Sequence, residues 1–225
     1  MNILVVDGYE IEEEFKSKFT GDYAITFVDG TELNHELLKS YQVIFDFAID
    51  DSPENLGFYE GKDDKFVFVS TPKIQLAELI YHYGDVKCKL FGFNGLPTFI
   101  DREFMEVSVL NNEDKAALDY ISKELDSEYL LVDDRIGMVT PRVIFMIINE
   151  AFYTLQEGTA SIKDIDLGMK LGTNYPKGPF EWCNQVGVHH VFETLEALYE
   201  DTKEERYKIC PLLKTKYLKE DTYVK

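Results

Sequence analysis

The chain has 225 residues, 45% hydrophobic and 14% aromatic, enough apolar mass for one large or two modest domains and too much for disorder. A formal net charge of −19 excludes the basic face that nucleic acid or an anionic membrane surface requires, and is read as serving solubility. No apolar run approaches the ~20 residues of a membrane span and the start lacks a basic-then-apolar leader, so a cytoplasmic setting without membrane contact is expected.

Residues 1–132 alternate strand-like apolar runs with helical stretches, the pattern of βαβ units and a parallel sheet. Ile3–Val6 is the first strand, followed by a charged helix over Glu10–Phe19 and a strand at Tyr23–Val28. A short helix at Glu32–Lys39 leads to Val43–Phe47, and Phe66–Ser70 follows. A helix over Gln75–Tyr83 leads to Cys88–Phe93. Glu106–Leu110 is a further strand, Asn112–Leu125 a helix, and Tyr129–Val132 closes the sheet.

From Asp133 the texture becomes helical, and no strand signal follows residue 140. Thr140-Pro141 reads as an N-cap with proline at the first helical position, and Gly158 marks the far end. Between them Val143, Ile144, Ile147, Ile148, Ala151, Phe152 and Leu155 recur at helical spacing, with Phe145 and Met146 on another face. Such a helix is expected to be buried all round, in a bundle or against a second subunit. Ser161-Ile162-Lys163-Asp164 resembles a capping box opening a helix over Ile162–Leu171. A third amphipathic helix runs from about His189 to Tyr199. The fold class is therefore α/β followed by all-α, with domains at 1–132 and 133–225.

Cys88, Cys183 and Cys210 share no C-x-x-C spacing, which fits a reducing compartment and indicates neither a disulfide frame nor a zinc site. His189 and His190 are adjacent and expected to diverge, a poor metal pair. No metal is expected.

The stretch "TPRVIFMIINEAFYTLQEGTASIKDIDLGMKLGTNYPKGPFEW", residues 140–182, resembles the C-terminal domain of the 3-hydroxyacyl-CoA dehydrogenase family. Arg142, Asn149-Glu150-Ala151, Glu157-Gly158, Asp164-Ile165-Asp166, Lys170-Leu171-Gly172 and Pro176 to Glu181 carry the likeness, in order. It implies a Rossmann-like first domain, an NAD-dependent oxidoreductase acting on acyl-CoA thioesters, and a homodimer formed through residues 140–200. The glycines, prolines and acids of the stretch also have a purely structural reading, as turn formers and helix caps.

Family members carry G-x-G-x-x-G after the first strand, because glycine lets backbone N–H groups approach a pyrophosphate. Here those positions are Asp7, Tyr9 and Glu12, which add bulk and negative charge where the phosphates would sit; Gly8 persists between them. Asp29 ends the second strand, 22 residues beyond Asp7, where a carboxylate would meet a ribose hydroxyl; its other reading is the start of the turn Asp29-Gly30. Gly8 and Asp29 are the remnants of a cofactor-binding set. The family's catalytic histidine lies in a segment of the type H-F-F-N-P, matched here by Phe91-Gly92-Phe93-Asn94-Gly95. The base position is thus Phe91, which accepts no proton. Asn94 is kept, and Glu106 matches the glutamate that orients the base, with three extra residues between. A substrate-contacting serine stands as Pro72 and a helix asparagine as Pro141. Only Gly30 to Tyr41 separates the second and third strands, leaving no room for the helical arm that helps hold coenzyme A.

Two functions follow from this resemblance. One is a dehydrogenase-like protein of fatty-acid and acyl-CoA metabolism with impaired or lost NAD-dependent hydride transfer. The other is a non-catalytic dimeric module that binds a small molecule or a partner enzyme. A hydrolase or isomerase lacks support, since no G-x-S-x-G elbow is present.

Overall fold

A computed structural model describes residues 1–61 and 63–219, so the end of the expected 133–225 domain lies outside the described residues. Contacts divide the chain into two compact units, one over residues 1–138 and one beginning at Val139.

The first unit holds strands β1 (Asn2–Val6), β2 (Ala24–Val28), β3 (Val43–Asp46), β4 (Phe66–Ser70), β5 (Lys89–Phe93), β6 (Phe104–Val109) and β7 (Glu128–Leu131). They form one sheet in the order β2-β1-β3-β4-β5-β6-β7. Every pairing is parallel except β5 with β6. Both faces of the central strands are covered, which explains runs such as Ile3–Val6 and Val43–Phe45 without polar alternation. Alternate residues divide between two cores. Ile3, Val5, Phe45, Phe68, Phe91 and Phe93 face one side with Phe15 and Phe19. Leu4, Val6, Ile44, Val67 and Val69 face the other with Leu76, Leu79 and Tyr59. Phe45 and Phe68 stack on neighbouring strands with centroids 4.7 Å apart.

The connections are shorter and tighter than expected from sequence. The Glu10–Phe19 stretch is a 3-10 turn, Tyr9–Ile11, running into α1, Glu12–Lys18. The Glu32–Lys39 stretch becomes a 3-10 turn at Gly30–Glu32 and α2, His35–Leu38, because Asp29 and Asn34 each cap a separate start. Helices α3 (Leu76–Tyr83) and α4 (Lys115–Glu124) complete the unit, together with an unforeseen 3-10 segment, Pro53–Tyr59.

The second unit contains α5 (Thr140–Gln156), α6 (Ile162–Thr173), α7 (Pro179–Val186), α8 (Val188–Thr202) and α9 (Pro211–Lys219). Phe145, Ile148, Phe152, Phe180, Val191, Leu195 and Leu213 make its core. One reading of α5 needs correction. Thr140 is its first helical residue rather than its cap; Val139 takes the cap position, where it offers no side-chain acceptor. Within this chain the helix is not covered all round, since Val143 is 53% exposed and Glu150 and Gln156 face outward, the side that burial against a second subunit would have to cover. Its far end is as expected. Gly158 adopts φ +71°, its N–H meets the Leu155 carbonyl at 3.0 Å, and Thr159 N–H reaches Thr154 at 3.1 Å, a Schellman ending. At α6 the Ser161 hydroxyl both accepts from Asp164 N–H (3.2 Å) and donates to the Asp164 carboxylate (2.6 Å).

His189 and His190 do not diverge. Their rings pack with centroids 4.0 Å apart, because both fold over Gly187, which has φ +97° and no side chain to exclude them. No helix among the described residues is long and apolar enough to cross a membrane.

Candidate functional site

In an open parallel sheet the carboxyl ends of the strands form the crevice in which ligands sit, at the point where successive connections change side. Here that point lies between β1 and β3, since β2 flanks β1 on one side and β3 on the other. The residues just beyond these ends are Asp7, Gly8 and Phe47.

Asp7 occupies the left-handed region at φ +52°, a conformation that glycine takes at least cost. Its carboxylate accepts the Gly30 N–H at 2.8 Å, tying the first turn to the one after β2. Gly8 is hemmed in. A side-chain carbon there would meet Val5 at 2.4 Å and the Phe47 ring at 3.2 Å. The Phe47 ring also lies 3.1 Å from where a side chain at Gly95 would begin, and packs edge-on against Phe93 at 5.2 Å. Phe47 thus covers the backbone between Gly8 and Gly95.

Tyr9 is 52% exposed and leans toward Phe27, ring centroids 6.2 Å apart. Desolvation, then the carboxylates of Glu32, Asp29, Asp7 and Glu12, raise its hydroxyl above the ordinary phenol value. Glu12 pairs with Lys16, whose ammonium lies 5.4 Å from the Phe27 ring centre. Asp29 is exposed and caps its own loop. It accepts the Thr31 hydroxyl at 2.6 Å and the Thr31 N–H at 2.9 Å, bonds that hold its carboxyl below the ordinary value. The turn-forming reading of Asp29 is thus seen in these bonds.

The catalytic remnants separate. Phe91 points into the aromatic core against Phe68, with centroids 5.0 Å apart, and pairs across the sheet with Val109. Glu106 lies on β6 between Met105 and Val107, which face that same core, so its side chain leaves the opposite face. Phe91 and Glu106 are therefore not neighbours. On the face of Glu106, β5 presents Gly92 and Asn94. Asn94 N–H donates to the Glu106 carbonyl at 3.1 Å, and its side chain accepts from Leu96 N–H at 3.4 Å. Gly92 is closed off too, because a side-chain carbon there would meet the Thr71 and Ser108 hydroxyl oxygens, each at 2.5 Å. Both hydroxyls are buried without a hydrogen-bond partner.

Sequence reasoning missed a set of carboxylates that hold the unit's own backbone donors. Glu14 accepts from Thr98, Ile100 and Asp101 N–H at 2.8, 2.7 and 3.0 Å. Asp134 accepts from Leu76 and Ala77 N–H at 2.8 and 2.9 Å, occupying the start of α3. Asp46, at the end of β3, is wholly buried. Burial pushes its carboxyl up to about 6, against hydrogen bonds from the Tyr59 hydroxyl and Ala48 N–H that pull it down. An isolated acid closing the apolar run Val43–Phe45 was the available signal.

In the helical unit the motif residues build structure. Asp166 accepts the N–H groups of Phe180 (2.8 Å) and Glu181 (3.2 Å) at the start of α7, so close to Gly178 that no side chain fits there. Lys170 bonds Glu181 at 2.9 Å. Asn149 donates to the Lys208 carbonyl (3.0 Å) and accepts from Cys210 N–H (2.8 Å), strapping α5 to the chain before α9. Arg142 donates to the Tyr207 hydroxyl at 3.1 Å.

Residues 137–224 match the family model described as 3-hydroxyacyl-CoA dehydrogenase, C-terminal domain. Over that stretch the chain is a C-terminal domain of the 3-hydroxyacyl-CoA dehydrogenase family. It is 42% identical over 104 residues to 3-hydroxyadipyl-CoA dehydrogenase of Escherichia coli, a stretch covering 46% of this chain and 22% of that protein. Over 190 residues it is 26% identical to 3-hydroxybutyryl-CoA dehydrogenase of Clostridioides difficile, covering 80% of this chain and 66% of that one. The chain thus spans less than two thirds of either relative. Among solved structures it resembles (S)-3-hydroxybutyryl-CoA dehydrogenase of Ralstonia eutropha, with TM-score 0.71 and 19% identity over 97% of this chain and 93% of that one. The FadB2 structure of M. tuberculosis gives TM-score 0.77 at 14% identity over 99% and 98%. These two show the fold: a shortened Rossmann-like unit, then the helical one.

Proposed function

We propose that this family member has lost NAD-dependent hydride transfer and persists as a dimeric, non-catalytic module in acyl-CoA metabolism, binding a small molecule or a partner enzyme in a cytoplasmic setting. The observation that carries the reading is the missing base. Phe91 is buried in an aromatic core, and the β5 position that shares a face with Glu106 is a glycine. Neither takes a proton, so the two positions that match the family's base supply none beside Glu106 and Asn94.

The first turn does not fit a dinucleotide. Its carboxylates at positions 7 and 12 oppose an anion, and Asp7 already holds a backbone donor. Phe47 covers Gly8, and one Asp29 oxygen already accepts the Thr31 N–H and hydroxyl. Dimerisation through residues 140–200 is supported by α6, which has no buried residue and carries Leu171 at 78% exposure and Leu167 at 49%.

The test combines calorimetry with NAD and an NADH-production assay using 3-hydroxybutyryl-CoA. Absence of both binding and turnover is expected. Micromolar NAD affinity would show that the turn has been misread, and clear NADH production would place a base elsewhere.

A further inference from the structure

Among the described residues β7 pairs only with β6, so it forms one edge of the sheet. The Val132 N–H donates to the Val107 carbonyl at 2.9 Å, so Val132 and, two residues earlier, Leu130 turn their backbone groups toward β6. The N–H and C=O groups of Tyr129 and Leu131 therefore point away from the sheet. Side chains alternate as well. Leu130, opposite Glu106, leaves one face and is 52% exposed, while Leu131, opposite Val107, leaves the other and is 40% exposed. The far edge, β2, is better guarded: only its first residue, Ala24, is exposed, and the Lys16 ammonium lies over Phe27.

Acidic groups bracket the apolar centre of the β7 edge. At its head, the turn after α4 forms a cleft of about 400 Å³ whose walls set Asp126 and Glu128 against Lys123, beside Tyr129. Lys18 also acts near Glu128, but its ammonium is held by the Arg102 and Glu103 carbonyls. At the tail, Asp133 follows Val132 and is exposed. A second copy presents the same acids, so two such edges paired antiparallel would bring the head acids of one against the tail acid of the other. An apolar strand with basic ends has no such conflict.

We propose that the β7 edge docks an extended segment of a partner protein, apolar at its centre and basic at both ends, which adds to the sheet as a further strand. Its backbone meets the outward groups of Tyr129 and Leu131, and its central side chains cover Leu130 and Leu131. A lysine or arginine at one end enters the cleft beside Asp126 and Glu128. The edge thereby specifies a kind of partner for the binding role proposed for this module, and rests on that role alone, not on the loss of hydride transfer.

A fluorescent peptide of alternating valine and threonine between terminal lysines, titrated into the full chain, tests this by anisotropy and amide NMR. Saturable binding that weakens with salt is expected, with the Tyr129 and Leu131 amides gaining protection from hydrogen exchange. Leu131→Pro removes an outward donor without breaking a bond to β6, and should weaken binding roughly tenfold or more with the circular dichroism unchanged. Glu128→Lys should weaken the lysine-ended peptide and favour a glutamate-ended one. No saturable binding, protection gained elsewhere, or equal binding of the glutamate-ended peptide to the unmodified chain would overturn the proposal. Concentration-dependent protection of Tyr129 and Leu131 without peptide would overturn it too, by giving the edge to a second copy. Should Leu131→Pro fail to fold, an unchanged affinity in Glu128→Lys would overturn it equally. NADH production from 3-hydroxybutyryl-CoA would remove the reading of lost chemistry and leave this edge untouched, whereas failed peptide binding would do the reverse.

Discussion

Replacing Asn149 by Ala tests whether the most family-like stretch of the chain is kept for structure. The Asn149 side chain is 3% exposed and spans two backbone groups, the Lys208 carbonyl and the Cys210 N–H. Truncation leaves both without their partner. Lys208 lies at the surface, where water can replace the lost donor, but Cys210 is buried, so its N–H bears the desolvation cost. An unsatisfied buried group costs about 1–3 kcal/mol, and the lost packing of a buried amide adds to this, for ~2–4 kcal/mol in all. The chain's single tryptophan, Trp182, lies on α7 of the same unit, so its fluorescence in a urea titration reads this loss locally. N149D should be equally costly at pH 8, where two acceptors face each other at Lys208, and milder near pH 4, where a protonated carboxyl can donate. A change below ~0.5 kcal/mol in N149A would refute the strap.

Three further outcomes are expected. Glu14→Ala removes the acceptor of three backbone N–H groups around Thr98, which holds φ +73°; a loss of ~2–4 kcal/mol by chemical denaturation is expected, with a loss under ~0.5 contradicting the assignment. The folded state holds the Asp46 proton up to about 6 while the unfolded chain releases it near 3.8, so this group's contribution to stability is present below pH ~4 and lost as pH rises through ~6. That loss is at most ~3 kcal/mol, and it should be absent from the D46N minus wild-type difference only if Asp46 is not its source. Leu171→Asp should abolish a dimer in light scattering while leaving the circular dichroism unchanged, because the side chain is already exposed; an unaltered dimer would move the interface off α6.

The strands were legible to within one or two residues because a sheet covered on both faces must be written in unbroken apolar runs, as at Ile3–Val6 and Phe66–Ser70. Helix α7 was not, since its opening Pro179 sits in a motif read as a turn, and α9 has too weak an apolar face to declare itself. Asp46 passed as one residue of the Val43–Phe47 strand, and only the structure brings Tyr59 to it. Glu14 gave no signal at all. It is one of three successive glutamates, and its donors lie more than 80 residues away along the chain. The parity of β5 against β6 was likewise hidden, because three extra residues between Phe91 and Glu106 leave the pairing register open until the loop is seen.

Gly92 beneath two hydroxyls limits what one substitution can do. Placing a histidine on the face of Glu106 by Gly92→His would drive the new side chain into Thr71 and Ser108, while Phe91→His would bury an imidazole among phenylalanines. Each first step is harmful alone and pays nothing until the neighbours have also changed. Packing here acts as a ratchet. With that small gap closed, no single substitution places a histidine at either strand position without displacing its neighbours.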